Sequence, residues 1–462
     1  MKVRALALSL LLLVALIVCF QIPIAVNATI LPTPPPPATL LWYDPVNTLD
    51  IALSKDGQYV AIAAQVLSPS PHGEVRFYSR SSGTPIWTYS AGEGFLSVAI
   101  SADGDCVAAG NGSHVCFWKN ARSLPGAPDP TWSSIWLGPI EYRSLDISDD
   151  GNYLVASGTG DSVYYWANAK GLSGNGKPTT WEYHFGYDFS RVHAVDLSSS
   201  GDYVVAGTNY DVGLAYAAVA YWKNAKLLTG DSLPNWNSTE PNSDVVDVAV
   251  SDDGNYVAAA SGGIGTVYYW AGAKGRSGNV NPSTWHSDPQ VSFSSVDMSS
   301  DGDRVVAGGY NITSGEPGVY FWAGARGLSG KPQNPTWVYD TANYVEEVAI
   351  DAAGDYMAAA NDFATPYVYF LDNSGNLKWQ YGPLEHPAQV LSISSAGGTL
   401  AIGSGSVITS GYLLDTGYRT PTEPVGGLTV PPDKLALLSP WIAVALAALA
   451  LTVFATKRRR KR

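Results

Sequence analysis

Six carboxylates recur at nearly the same place in a repeated stretch of this chain. Asp146, Asp196 and Asp297 stand two residues before a Ser that closes an apolar run. Asp50 and Asp247 stand four before such a Ser, and Glu347 holds the equivalent place before Asp351. Gathered on one wall, oxygen donors of this kind form a collar able to hold a cation. A buried carboxylate has a second use, accepting backbone N–H bonds, and buried carboxylates are nearly always paired. Because the six do not share one register, the structural use is the expected one: each ties a unit to its neighbour. The six histidines, His72, His114, His184, His193, His286 and His386, show no zinc-ligand spacing. No G-x-S-x-G stands before a helical pattern. The sequence therefore calls for no catalytic residue, no cofactor and no metal.

The elements that would position these groups are repeated. Val245 to Trp270 reads VVDVAVSDDGNYVAAASGGIGTVYYW, and Trp285 follows a loop later. Ser144 to Trp166 with Trp181, and Ser294 to Trp322 with Trp337, repeat the pattern. The glycine of the first turn recurs at Gly57, Gly104, Gly151, Gly201, Gly254, Gly302, Gly354 and Gly397, at spacings of 43 to 53 residues. Each unit holds four short strands: a, ending Val-Ala-Val-Ser; b, Tyr-Val-Ala-Ala-Ala; c, Val-Tyr-Tyr-Trp; and d, with a lone Trp. Ser-Asp-Asp-Gly-Asn between a and b is hairpin chemistry, with Gly supplying a positive φ. Four strands at this period make one propeller blade, which must stack in a closed ring to bury both its faces.

The expected fold is therefore all-β, an eight-bladed β-propeller over residues 40–417. Seven strand-d tryptophans follow strands a to c: Trp87, Trp132, Trp181, Trp236, Trp285, Trp337 and Trp379. The eighth set, from Val390 to Asp415, has none after it, but Leu40-Leu41-Trp42-Tyr43 precedes the first set. Trp42 then belongs to an N-terminal strand that completes the last blade and removes an open edge. All eight tryptophans are expected to dock blade on blade, and fixed repeat positions make packing a better account of the Trp and Tyr than sugar stacking. The stretch Glu182 to Arg191 reads as an insert between strand d and the next strand a, a place for binding residues.

The ends give the expected address. Residues 1–28 read as a signal peptide: Lys2 and Arg4, an apolar run, then small residues up to Ala28. Residues 29–39 form a Pro-rich spacer and 418–434 a stalk rich in Pro, Gly and Thr. The uncharged stretch 435–456 is long enough to cross a bilayer as a helix, and 457–462 is a basic run that stays cytoplasmic. The propeller is thus expected outside a cell membrane on a single span. The alternative is a sorting signal in which the helix gives way to a lipid. The leader and tail hold eight of the 27 Lys and Arg, leaving 19 in the body against 40 Asp and Glu. A body of net charge −21 repels phosphate backbones, so no nucleic acid is expected as a partner.

The a–b–c pattern resembles the WD-repeat family in its S-x-D-G, its small-residue strand and its V-x-x-W. Asp161, in Gly160-Asp161-Ser162-Val163, matches that family's b–c turn aspartate, although the Gly-His pair before strand a is missing. The Trp of strand d is similar instead to quinoprotein-type (PQQ-repeat-like) propellers, as in Tyr369 to Trp379. That second resemblance implies an oxidoreductase whose cofactor sits with calcium on the ring axis, and in alcohol-oxidising members a vicinal disulfide. This chain has no adjacent cysteine pair. Both resemblances specify fold and say little about function. The expected function is a cell-surface binding or scaffolding module for an extracellular protein or glycan. A quinoprotein-like or other channel enzyme, and a surface-coat component, are the alternatives.

Two covalent features follow from export. Cys106 begins strand b of blade two and Cys116 is the second residue of its strand c, where other blades carry Tyr153 with Tyr164, Tyr256 with Tyr268 and Tyr356 with Tyr369. If those positions are cross-strand neighbours, the two thiols form a disulfide in an oxidising compartment. Asn111, Asn237 and Asn311 head glycosylation sequons placed at loops. Natively exported protein is expected to carry a glycan on at least one of them, read as intact mass above that of the polypeptide; the bare polypeptide mass would refute it.

Overall fold

The computed structural model describes residues 38–419, except 68–69, 138–144, 158–160, 187–190, 210–217, 242, 264, 289, 362–365 and 405–409. The leader, most of the spacer, the stalk beyond Arg419, the apolar stretch and the basic tail lie outside the described residues. Among the described residues no helix is long and apolar enough to cross a membrane.

The hairpin chemistry builds each blade. In blade five, strands Val245–Val250, Tyr256–Ser261, Val267–Ala271 and Trp285–His286 pair in chain order, all antiparallel. Ser251 Oγ donates to Asp253 Oδ1 (2.8 Å), and Asp253 Oδ1 accepts the Asn255 N–H (2.9 Å). Gly254 takes φ 73°, and a Cβ there would lie 2.1 Å from the Tyr203 ring of the preceding blade. The glycine thus serves the turn and the joint between blades. Eight such sheets form, and the eighth is ordered Thr39–Asp44, Ser410–Asp415, Thr399–Ser404, Ala388–Ile393. The N-terminal strand closes the last blade, with Leu40 opposite Leu414 and Tyr43 opposite Tyr412.

Strand-d tryptophans join the blades. Each indole N–H crosses to a carbonyl in the turn after strand c of the next blade: Trp87 to Ala121, Trp132 to Ala169, Trp181 to Ala225, Trp236 to Ala273, Trp285 to Ala325, Trp337 to Asn373 and Trp379 to Thr416, all at 2.9–3.0 Å. Trp87, Trp132, Trp181, Trp236 and Trp285 also pack on the strand-c Trp of that blade, with ring centroids 5.5–6.0 Å apart. Trp42 differs. Its indole N–H is buried without a hydrogen-bond partner, and its ring stacks on Tyr78 at 4.7 Å. The joint there is ionic: Arg76 Nη1 donates to both oxygens of Asp44 (3.0 and 2.8 Å), Arg76 Nε to Glu74 (2.7 Å), and the Tyr78 hydroxyl to Asp44.

The cysteine expectation is corrected. Cys106 lies opposite Lys119, and Cys116 opposite Ala109. Three residues of offset put the two thiols on opposite faces of blade two, and both are free. Cys106 packs with the core toward blade three, Cys116 with the core toward blade one. The tyrosine pairs are not neighbours either: Tyr153 faces Ala167 and Tyr256 faces Ala271. Packing across the joint explains Cys116. In the blades whose strand c ends in Trp, Ser two places after the preceding strand-d Trp (Ser134, Ser238, Ser287) is answered by Tyr164, Tyr268 or Tyr320, and Tyr89 or Tyr183 there is answered by Cys116 or Ala220; where Leu371 and Leu414 replace that Trp, Tyr339 and Tyr381 meet Tyr369 and Tyr412. Tyr89 and Tyr183 then sit edge-on against Trp118 and Trp222. Burial pushes both thiols up to about 12, which makes them inert.

The sequons also sit otherwise than expected. Asn237 lies within strand Trp236–Ser238, while Asn111 and Asn311 end strands Cys106–Asn111 and Arg304–Asn311. Asn111 is buried, and its Oδ1 accepts the N–H groups of Ser113 and His114.

A further layer was not foreseen. The link between strands c and d of a blade swings back and lies parallel to strand d of the blade before it. Gly174 pairs with Trp132, Gly230 with Trp181 and Gly278 with Trp236, and single bridges join Gly126 to Trp87 and Gly330 to Trp285. The outer edges of blades one to five are thereby covered.

The ionic joint makes the closing strand the place to strike. Asp44→Ala leaves Arg76 and Tyr78 facing a buried gap, and breaking such a pair costs about 3–5 kcal/mol. Chemical denaturation is expected to show a loss in that range; a midpoint unchanged from wild type would mean that strand Thr39–Asp44 does not hold the ring.

Candidate functional site

The strands a converge on the ring axis, and their inward residues line a channel cavity of about 360 Å³. All six carboxylates singled out in the sequence, Asp50, Asp146, Asp196, Asp247, Asp297 and Glu347, stand on its wall. Neighbouring strands a are too splayed to pair as a sheet, so their N–H groups need other acceptors. The carboxylates supply them. In Asp50, one oxygen accepts the N–H of Ile51 and the other that of Val98 in the next blade, both at 2.8 Å. Asp146 does the same for Ile147 and Leu197, Asp196 for Leu197 and Val250, Asp247 for Val248 and Val296, and Asp297 for Met298 and Ile350. Blade eight makes the joint with a hydroxyl, Ser392 Oγ accepting the Leu53 N–H (3.1 Å). For the five aspartates the expected structural use is the observed one.

A second ring lies at the channel mouth, where the first hairpin residues of successive blades join through the main chain. Ala102 N–H reaches Asp149 O, Asp149 reaches Ser199, Asp252 reaches Ser300, Ser300 reaches Ala352, Ala352 reaches Ser395, and Ser395 reaches Lys55, at 2.9–3.1 Å. Lys55, which the sequence reading passed over, extends across this mouth to Asp149 (2.7 Å) and Asp252 (3.5 Å). Burial opposes its charge, but Asp252 and Asp149 outweigh that and raise its pKa. The available signal was a lysine at a place where the other blades carry Ala102, Asp149, Ser199, Asp252, Ser300, Ala352 and Ser395.

Burial shifts carboxyls of the channel toward their neutral forms. Burial raises Asp196 well above the usual carboxylate range, and the neighbouring Asp146 adds to the effect; Asp146 is raised by burial as well. The interaction between the two side chains favours the proton on Asp196 over Asp146. As a cation site the channel fits poorly, because the oxygens a metal would need are already accepting N–H bonds. Among the described residues no group of three or more His, Cys, Asp or Glu is placed to hold a metal ion.

The histidines remain apart. One cluster resembles catalytic chemistry: Ser162 Oγ lies 2.6 Å from His184 Nδ1, with Glu182 3.4 Å from Nε2 and Asp161 3.9 Å from Nδ1. Ser162 is buried, 3% exposed. Asp161 accepts the N–H of Gly186 at 2.5 Å and pins the d–a link, a structural tie. The proposed insert is only in part a loop: Glu182 to His184 belong to strand Trp181–His184, and Tyr183 and Phe185 pack inward, 4.9 Å apart.

No family model matches the chain, and no curated protein matches it. Among solved structures it is similar to the C-terminal WD40 domain of Sif2, at 14% identity over 83% of this chain and 99% of that one, with a TM-score of 0.58. The fold is an eight-bladed β-propeller, similar in architecture to that WD40 domain. In all, 1535 chains of solved structures match, so the likeness marks an architecture and selects no activity. The quinoprotein resemblance rests on sequence motif alone.

The raised carboxyls have a measurable consequence. Burial raises Asp297 to about 7 despite its two N–H bonds, whereas in the unfolded chain it titrates near 4 (about 3.9). Between those values the folded state holds a proton that the unfolded state lacks. Stability then falls as pH rises, by about 1.4 kcal/mol per pH unit for one proton. Asp297→Asn is expected to flatten the stability curve between about pH 4 and 7 in denaturant titrations, and a slope equal to wild type would show that the carboxyl titrates alike folded and unfolded.

Proposed function

We propose that this protein is a membrane-anchored binding module displayed at a cell surface, with protein partners engaged by the loops and rim of the propeller. One observation carries the reading: the five aspartates and Ser392 of the ring axis are taken up in joining blades, so recognition falls to the outside. The likeness to a WD40 domain supports an interaction role. The face bearing the b–c turns and d–a links offers apolar side chains, with Trp136 69% and Ile135 41% exposed beside one another on the link after strand Trp132–Ser134. An exposed Trp is the residue type that anchors protein interfaces. The apolar stretch 435–456 and the basic run after it support the anchor and its orientation.

Protease added to intact cells is expected to remove the propeller from the full chain, and a chain stopped after Lys434 is expected in the medium. A propeller protected inside the cell would refute the surface reading. Cross-linking on intact cells with mass spectrometry is expected to recover a defined protein partner whose yield falls at least tenfold in the Ile135→Ser, Trp136→Ser double variant. Recovery of glycans alone would shift the partner class to carbohydrate.

A further inference from the structure

The ionic joint at ring closure does not balance its own charge. Arg76 meets two carboxylates there, Asp44 and Glu74, and both are buried. Tyr78, which also donates to Asp44, adds no charge, because burial and then the Asp44 carboxylate push its hydroxyl far up. Two anions and one cation leave a net charge of −1. A buried charge left without a partner is costly.

One more charge is within reach. His72 opens strand His72–Ser79 of blade one and is partly exposed. Its Nε2 lies 3.0 Å from Glu74 Oε1, and its Nδ1 lies 2.7 Å from the main-chain oxygen of Ser70. Both oxygens can only accept. A neutral imidazole carries one N–H, so one of its nitrogens would aim a lone pair at an oxygen. Only the imidazolium donates at both ends. The same proton brings the joint from −1 to zero, so bonding geometry and charge balance ask for one species.

The surroundings agree. The Ser70 carbonyl and then the Glu74 carboxylate hold the His72 pKa above its ordinary value, while burial and the Arg76 charge oppose them. On the flanking strands Val66 stands opposite His72, and Ser90 reaches Glu74 Oε1 at 3.5 Å. Glu93, in the link that leaves blade one, is turned to Ser113 of blade two, which donates to it at 2.9 Å. The charges acting on the imidazole are thus those of its own strand, Glu74 and Arg76, with Asp44 of the closing strand behind Arg76.

We propose that His72 is a proton-operated latch on ring closure: its imidazolium completes the ionic joint and holds strand Thr39–Asp44 in blade eight, and loss of the proton slackens that strand. The sign follows from linkage. A histidine whose folded pKa lies above its unfolded value of about 6.5 stabilises fully below that value, and the contribution is lost as pH rises through the folded one. The ring is therefore held hardest in mildly acidic surroundings.

Hydrogen exchange on the full chain between about pH 6 and 8 tests this, with rates corrected for the intrinsic pH dependence of exchange. Protection of the bonded amides of strand Thr39–Asp44 is expected to fall about threefold or more over that range, measured against strand Tyr256–Ser261. In His72→Gln the protection is expected to be low and level. In His72→Arg, charged at every pH, it is expected to be high and level. Asp297, raised to about 7, titrates in the same range but is common to all three proteins and cancels between them. The same pH dependence in wild type and His72→Gln would overturn the proposal, as would a fall in His72→Arg equal to that of wild type. In protein labelled at histidine, the NMR signal that vanishes in His72→Gln is expected to titrate above about 6.5, and lower in Glu74→Gln. A wild-type signal titrating at or below that value would overturn the proposal as well.

Discussion

A ring of identical joints is only as strong as the one joint that the repeat cannot make for itself. Here that joint lies between blade eight and blade one, where a strand from the start of the chain completes a sheet built from its end. At the seven other joints a strand-d Trp reaches a carbonyl of the next blade. Trp42 finds no such carbonyl, and Asp44, Arg76, Glu74 and Tyr78 take over. A buried ionic joint offers less net stability than an apolar one but is far less tolerant of a wrong partner. Arg76 stands where blades three and five to eight carry Tyr. A buried ion pair standing in place of the indole bond gives the closing strand an address, so that it does not exchange with the tryptophan-bearing strands that resemble it.

The same logic runs along the axis. Strand a of each blade presents N–H groups that no sheet partner can reach, and water in a narrow channel serves them poorly. A short carboxylate has two oxygens, one for its own following N–H and one for that of the next blade. Accepting such bonds steadies the anion, but burial works against it, and in Asp196 and Asp297 burial wins. The axis is therefore a string of structural carboxyls, with Lys55 countering their charge at one mouth. Much of the acidity of the body serves architecture on the inside and solubility on the outside.

Blade number, hairpin glycines, the tryptophan joints, the closing strand and the place of the six carboxylates could be read directly from the chain, because each is a local pattern repeated at a fixed interval. What escaped reading depends on two elements at once. The Cys106 and Cys116 pairing failed because register across a b–c hairpin is set by turn length, and the residues facing each position belong to different blades. Cys116 becomes intelligible only beside Tyr89, on a strand that precedes it by some 27 residues. The covering strands were missed although they left a signal: Gly126, Gly174, Gly230, Gly278 and Gly330 each stand eight residues after a strand-c Trp, all with positive φ. Those glycines read as loop filler until the neighbouring edge is placed beside them.

The covered edges also bear on how such a body persists in solution. A propeller displays eight outer strands, each a template for unwanted pairing. Blades one to five blunt theirs with main chain borrowed from the next blade, which fastens the joint at the rim as the carboxylates fasten it at the axis and the indoles fasten it between. Three tiers of contact at different radii resist hinging in a way that no single tier can. Rigidity of that kind suits a body that keeps loops in fixed relation over a wide face, where a flexible frame would spend binding energy on ordering itself. The arrangement asks the loops to vary and the joints to stay constant, and that is the division the chain displays: constant hairpins and indoles, with lengths that change in the b–c turns and d–a links.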